Sequence, residues 1–229
     1  MFPMLNRYAK CSHISERKFR QIIQCFSLDL TAENTAQITA LSRKTINKYF
    51  AKFRKAIFEY SLSEINLQNK EFGEFELDES YFGAKRVRGK RGRGAAGKTP
   101  VFGLKKRNGK VFVQIVRGCS RKELLPIIQG KILEGSTIHT DGWKAYDSLI
   151  LNGYDHYRVF HSKNEFARGK SHVNGIEGFW GYAKNRLAKF NGMTDNNFVL
   201  HLKECEFRFN NRNKSLPRVL LKLFRENPL

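Results

Sequence analysis

With 229 residues the chain has room for one medium domain and a smaller companion, and at 41% hydrophobic and 13% aromatic it is too rich in core-forming residues for wholesale disorder. Its 42 Lys and Arg against 21 Asp and Glu leave a formal charge of +21, which calls for a polyanionic partner, nucleic acid ahead of an anionic membrane surface. No apolar run is long enough to span a bilayer and residues 1 to 30 lack a signal-peptide layout, so a soluble, cytoplasmic and nucleoid-associated protein is expected.

Residues 14 to 60 contain neither glycine nor proline and read as helical. Ile14, Phe19, Ile22, Ile23 and Phe26 recur at helical spacing. In the following stretch Thr31 can cap one short helix and Ser42 a second, with Leu41 in the turn between them. That pair has the pattern of a helix-turn-helix, with Ala36, Ile38, Leu41, Ile46, Tyr49, Phe50 and Phe53 on the packed inner faces. Arg43, Lys44, Asn47 and Lys48 would then project from the first turns of the second helix toward DNA. A generic three-helix bundle with a basic surface is the plainer alternative.

From residue 71 the pattern changes to short β-like runs. FGEFELDESYF, TPVFGLKKR and KVFVQIVRG read as three consecutive strands, with Asn108-Gly109 turning the second into the third. RKELLPIIQGKIL is helical in pattern, and Pro126 is expected to break or kink it unless it lies near the first turn. STIHTDGW reads as a strand ending in a carboxylate, KAYDSLILNG as a short helix, YDHYRVFH as a fifth strand and SHVNGIEGFWGYAKNRLAKF as a long helix. HLKECEFRFNNR and LPRVLLKLFREN add two helices.

Three antiparallel strands followed by helix, strand, helix, strand and helix is the order of an α/β RNase H-like fold, a mixed sheet flanked by helices. The expected organisation is therefore a small all-α helix-turn-helix domain over residues 1–65 and a catalytic domain with C-terminal helices over 71–229. The four cysteines, Cys11, Cys25, Cys119 and Cys205, form no CxxC pair and are expected as reduced, buried thiols.

The chemistry rests on three acids. Asp78 lies in the first strand and Asp141 ends the fourth, its neighbour in such a sheet, while Glu177 comes from the long helix packed across it. Singly, each has an ordinary explanation: an edge or turn aspartate, a DG turn, a solvated helical glutamate. Jointly, three acids brought together would repel one another unless divalent cations occupied the site, and their hard oxygens suit magnesium or manganese. A pair of such ions is the usual device for phosphodiester chemistry.

On the long helix Asn174, Glu177, Gly181 and Lys184 share one face, while Ile176, Phe179, Ala183 and Leu187 fall on an adjacent one. Lys184 would meet a phosphate. Gly178 and Gly181 each cost about 1 kcal/mol in helix propensity, which close approach of DNA or of another backbone would explain.

Residues 85 to 98, with Lys85, Arg86, Arg88, Lys90, Arg91, Arg93 and Lys98 among glycines and alanines, cannot form a core. They would contact the DNA backbone without reading bases. Trp143 and Trp180 are candidates for core packing or for stacking on a base. His139 and His172 flank the acids at a spacing that gives little support to a zinc site.

The stretches ELDESYFG, GKRGRGAAGKTPVFGL, IHTDGWKAY, HVNGIEGFWGYAK and ECEFRFNNR together resemble the DDE transposases of bacterial insertion sequences, in the small single-frame ISXO2-like group. They span roughly residues 74 to 213. The 36-residue spacing from Asp141 to Glu177 and the lysine seven residues after Glu177 fit that family.

The resemblance implies that Asp78, Asp141 and Glu177 bind two divalent cations. Some relatives use an asparagine as third ligand, which makes Asn174 the rival of Glu177. The implied activity is binding of terminal inverted repeats followed by strand cleavage and strand transfer into target DNA, in a homodimer or larger synaptic complex. A catalytically silent DNA-binding regulator and an RNase H-like structure-specific nuclease are the alternatives. The zinc ribbon of some relatives is missing here, which leaves end recognition to the helix-turn-helix.

Overall fold

A computed structural model describes residues 6–67, 70–83, 98–141, 146, 149–159, 173–190 and 192–229. Two compact units emerge: Met1–Ser63 together with Phe207–Leu229, and Glu64–Glu206.

The first unit is helical. α1 (Glu16–Ser27) begins where the hydroxyl of Ser15 accepts from Lys18 N–H, and it buries Phe19, Ile22, Ile23 and Phe26. α2 (Ala32–Thr39) is capped by Thr31, and Ala40 in the left-handed region (φ 51°) closes it. Ser42 then accepts from Thr45 N–H at 3.1 Å and opens α3 (Arg43–Leu67). Both caps expected from the sequence form.

One inner-face expectation fails: Ile38 is 57% exposed, and Thr35 and Thr39 are buried instead. Ala32 and Ala36 pack against the core, and two residues beyond Ala36 a helix has turned by about 200°. The Thr39 hydroxyl donates to the Thr35 carbonyl at 2.7 Å, which makes the Thr39 side chain tolerable inside.

α7 (Leu216–Glu226) contributes Leu220, Leu223 and Phe224 to this core, where Phe224 stacks on Phe53 with centroids 5.0 Å apart. The end of α6 (Asp195–Asn210) belongs here too, through Phe207. The C-terminal segment that residue order attaches to the sheet thus packs with the N-terminal helices.

The second unit holds a five-stranded sheet in the order β3-β2-β1-β4-β5. β1 (Glu74–Phe82), β2 (Thr99–Lys106) and β3 (Val111–Ile115) form an antiparallel meander. Asn108 takes a left-handed φ of 57° in the turn between β2 and β3, as an Asn-Gly pair permits. β4 (Thr137–Asp141) runs parallel to β1, and β5 (Asp155–Val159) parallel to β4. This is the RNase H-like sheet.

Phe75, Leu77, Phe102, Leu104 and Ile138 cover one face of the sheet and pack with Leu124 and Ile128 of α4 (Arg121–Lys131). α4 continues through Pro126 without the break that the sequence allowed for. Pro126 lies on the exposed side, where water can satisfy the carbonyl one turn back that loses its donor. Only part of KAYDSLILNG is described, and there the chain forms a 3-10 helix, Ile150–Asn152; the rest of the expected short helix falls outside the described residues.

α5 (Asn174–Leu187) covers the other face of the sheet with Ile176, Phe179, Trp180, Ala183 and Leu187. It is tied to α6 by a buried ion pair, Arg186 Nη2 to Glu204 Oε1 at 2.6 Å. The cysteines are free thiols; Cys25, Cys119 and Cys205 are buried, whereas Cys11 is exposed.

Candidate active site

Successive side chains of β1 alternate between the two faces of the sheet, so Glu74, Glu76 and Asp78 lie on the side covered by α5, while Phe75 and Leu77 join the apolar core. The parallel pairing of β1 with β4 ends at Leu77 opposite Thr140. Asp78 and Asp141 are the next residues of their strands. The two carboxylates therefore stand at the same end of adjacent parallel strands. Glu177 sits in the first turn of α5, exposed, its N–H donating to the Val173 carbonyl at 3.1 Å.

Asp78 feels the charge of both other acids. The Asp78 carboxyl is pushed up to about 6, first by burial, then by the charge of Asp141, with Glu177 adding to the rise. A backbone hydrogen bond at Glu79 and the indole of Trp180 work the other way and favour the anion. Asp78 is thus held in a place where an ion of opposite charge would relieve both the burial and the repulsion.

Trp180 donates from Nε1 to Asp78 Oδ2 at 3.0 Å. Its ring lies over Gly103, the residue paired with Asp78 on β2. A Cβ at Gly103 would come within 2.7 Å of Trp180 Cη2 and 2.9 Å of Ile176 Cδ1, so only glycine lets the indole lie this close to the strand. Trp180 is accordingly a core aromatic whose polar edge serves the site. Phe82 and Phe179 pack against it at 6.0 and 5.2 Å between centroids.

On the opposite face, Glu79 is driven up to about 9 by burial and by the charges of Asp78 and Asp141, and the Tyr146 hydroxyl donates to its Oε1. Glu79 is therefore a neutral acid at neutral pH, and sequence pattern singles out neither it nor Tyr146. The only signal in the sequence is a second acid beside Asp78 in a strand whose other face is apolar.

Lys184 lies exposed two turns beyond Glu177, its ammonium 5.9 Å from the Phe82 ring centre, and Asn174 is exposed at the start of the same helical face. A Cβ at Gly178 or Gly181 would meet nothing among the described residues, so no neighbour there requires glycine. His139 is buried beside Glu74, Nε2 to Oε2 3.6 Å, and stacked on Tyr157; burial first, then the charge of Arg107, pushes its imidazole below the usual range.

Among the described residues, no three of His, Cys, Asp and Glu stand close enough together to hold a metal ion as placed. The donor chemistry of Asp78, Asp141 and Glu177 nevertheless fits a hard divalent cation: all three are oxygen donors, and the ionisation of Asp78 is opposed by both partners.

In the helical unit Arg43, Lys44, Asn47 and Lys48 are all exposed on the first turns of α3, with Arg43 Nε 3.6 Å from Glu33 Oε2. Lys98 is half-buried just before β2. Lys85, Arg86, Arg88, Lys90, Arg91, Arg93, Trp143 and His172 lie outside the described residues.

A family model described as an ISXO2-like transposase domain matches residues 72–210. A transposase-like protein of Haemophilus influenzae is 43% identical over 102 residues, covering 44% of this chain and 82% of that protein. A protein in the transposable element ISH50 of Halobacterium salinarum is 29% identical over 152 residues, covering 59% of this chain; the match spans only 52% of that protein's length.

Among solved structures, the catalytic core domain of BIV integrase aligns with a TM-score of 0.40 at 14% identity, covering 65% of this chain and 93% of that one. The Mos1 transposase paired-end complex aligns with a TM-score of 0.31 at 12% identity, covering 95% and 81%.

Proposed function

The chain belongs to the ISXO2-like transposase family, and we propose on that footing that it binds the terminal inverted repeats of its element, cleaves a DNA strand there and joins the freed end to target DNA. The observation that carries this reading is the placement of Asp78 on β1, Asp141 at the end of β4 and Glu177 in the first turn of α5, with Asp78 pushed toward neutrality by burial first, then by Asp141 and least by Glu177.

Asp78, Asp141 and Glu177 would hold two magnesium or manganese ions, which when bound supply Lewis-acid stabilisation to an in-line displacement at phosphorus. The rest is done by the chain. The Trp180 indole keeps one oxygen of Asp78 oriented and favours its anion. Glu177 takes the third position in preference to Asn174, because its charge is felt at Asp78. Lys184, on the exposed side of α5, meets a DNA phosphate as a point charge. Arg43, Lys44, Asn47 and Lys48 face the repeat, the first turns of α3 being open to it. Joining two ends calls for a homodimer or larger assembly. No helix among the described residues is long and apolar enough to cross a membrane, and work on chromosomal DNA places the protein in the cytoplasm at the nucleoid.

The test is a nicking and joining reaction on element ends with magnesium. Asp78→Asn should abolish both steps while leaving end binding intact. Strand transfer at the wild-type rate by that variant would sink the assignment.

A further inference from the structure

Glu76 stands two residues before Asp78 on the same face of β1, and its carboxylate is used up inside the protein. Its side chain is 2% exposed. Oε2 accepts from the backbone N–H of Ile176 at 2.9 Å, and Oε1 lies 3.4 Å from Arg107 Nε. Ile176 immediately precedes Glu177.

The start of α5 has no cap of its own: Val173 occupies the N-cap position and makes no side-chain hydrogen bond. One of the unpaired amides of the first turn is instead satisfied from the strand beneath, by an anion placed where the helix dipole favours one. Gly175 makes this approach possible, since a Cβ there would fall 2.7 Å from Glu76 Oε2 and 2.8 Å from Lys105 Cε.

We infer that Glu76 is a positioning residue, which fixes the first turn of α5 to β1 and so sets where Glu177 stands relative to Asp78. One strand then carries the first ligand and holds the helix that carries the third. Glu76 itself is not a ligand, because its two oxygens already face Ile176 N–H and Arg107. The inference rests on the reading of Asp78, Asp141 and Glu177 as the metal-binding acids.

The experiment compares the full-length protein with Glu76→Ala, Glu76→Gln and Gly175→Ala by two measurements that do not depend on catalysis. Amide hydrogen exchange at Ile176 should quicken roughly tenfold in Glu76→Ala, as loss of a hydrogen bond to a charged group implies, and stay near wild type in Glu76→Gln, whose amide oxygen still accepts. Manganese affinity, read by calorimetry without DNA, should fall on the order of tenfold in Glu76→Ala, as for loss of a group that orients a ligand, and be largely restored in Glu76→Gln.

Gly175→Ala pushes on the same carboxylate from the helix side and should reproduce the alanine result, which keeps the test open if Glu76→Ala fails to fold. Unchanged exchange and affinity in the alanine variants, or a glutamine variant as impaired as alanine, would overturn the inference. If the triad reading were the faulty part, Asp78→Asn would leave manganese affinity untouched while the exchange result stood.

Discussion

Trp180 Nε1 donates a hydrogen bond to Asp78 Oδ2 across 3.0 Å, joining residues 102 apart in sequence. The bond favours the anion of a carboxyl that burial and Asp141 push the other way. Trp180→Phe keeps an aromatic ring over Gly103 and removes only the donor. Cleavage at neutral pH should fall roughly tenfold, and the acid limb of the pH–rate profile should move to higher pH. A single-turnover profile on pre-cut and uncut ends checks this, and an unmoved acid limb would show that the indole is merely packing.

The raised Asp78 carboxyl also makes a statement about stability. In the unfolded chain an aspartate titrates near 4, whereas here it titrates at about 6. Between those values the unfolded chain is ionised and the folded one protonated, so unfolding releases a proton and metal-free stability falls as pH rises through the window. Glu79, at about 9, extends the decline. Asp78→Asn should therefore stabilise the metal-free protein at pH 7 by roughly 1–2 kcal/mol, allowing for solvent screening at a half-buried side chain. Magnesium should raise the Tm of the wild type and not of the variant; thermal melts between pH 4 and 9 measure both.

Gly103→Ala tests how tightly α5 lies on the sheet. The new methyl would contact Trp180 and Ile176 below 3 Å, and overpacking of this kind costs about 1–3 kcal/mol. Denaturant unfolding should show that loss. Activity should drop further than stability explains, because the displaced ring is the one bonded to Asp78.

For the α3 surface, single replacements Arg43→Ala, Lys44→Ala and Lys48→Ala should each weaken binding to element ends. The slope of log affinity against log salt should become shallower by about one for each phosphate that is no longer neutralised. Asn47→Ala, which carries no charge to lose, should change discrimination between correct and altered ends with little effect on the slope. Equal slopes for all four variants would place the DNA elsewhere.

Much of this fold is legible in residue order because its cues are local. The alternation through FELDES, the Asn-Gly turn and the Thr31 and Ser42 caps each depend on a few neighbouring residues. Periodicity misplaces Ile38 because α2 spans only two turns, too short to separate Ala36 and Thr35 from their opposite side. α7 is strongly two-faced, yet nothing in an apolar stripe says which partner it meets, and it packs in the helical unit. In β1, Glu74, Glu76 and Asp78 alternate identically with apolar residues, so spacing cannot assign them different tasks. The difference between Asp78 and Glu76 arises only when α5 lies down and one carboxylate faces an indole while the other faces a backbone amide.

The span of those contacts bears on how the protein is made. Glu76 meets Ile176 across 100 residues, and the helical unit is closed by Phe207–Leu229. During translation β1 leaves the ribosome well before α5, and the N-terminal helices wait for the last segment of the same unit. A chain released before α5 lacks Glu177 and the Trp180 donor, and the helical unit stays open until Phe207–Leu229 follow. With the chemistry proposed for it, synthesis interrupted before α5 would leave Asp78 and Asp141 without their third partner.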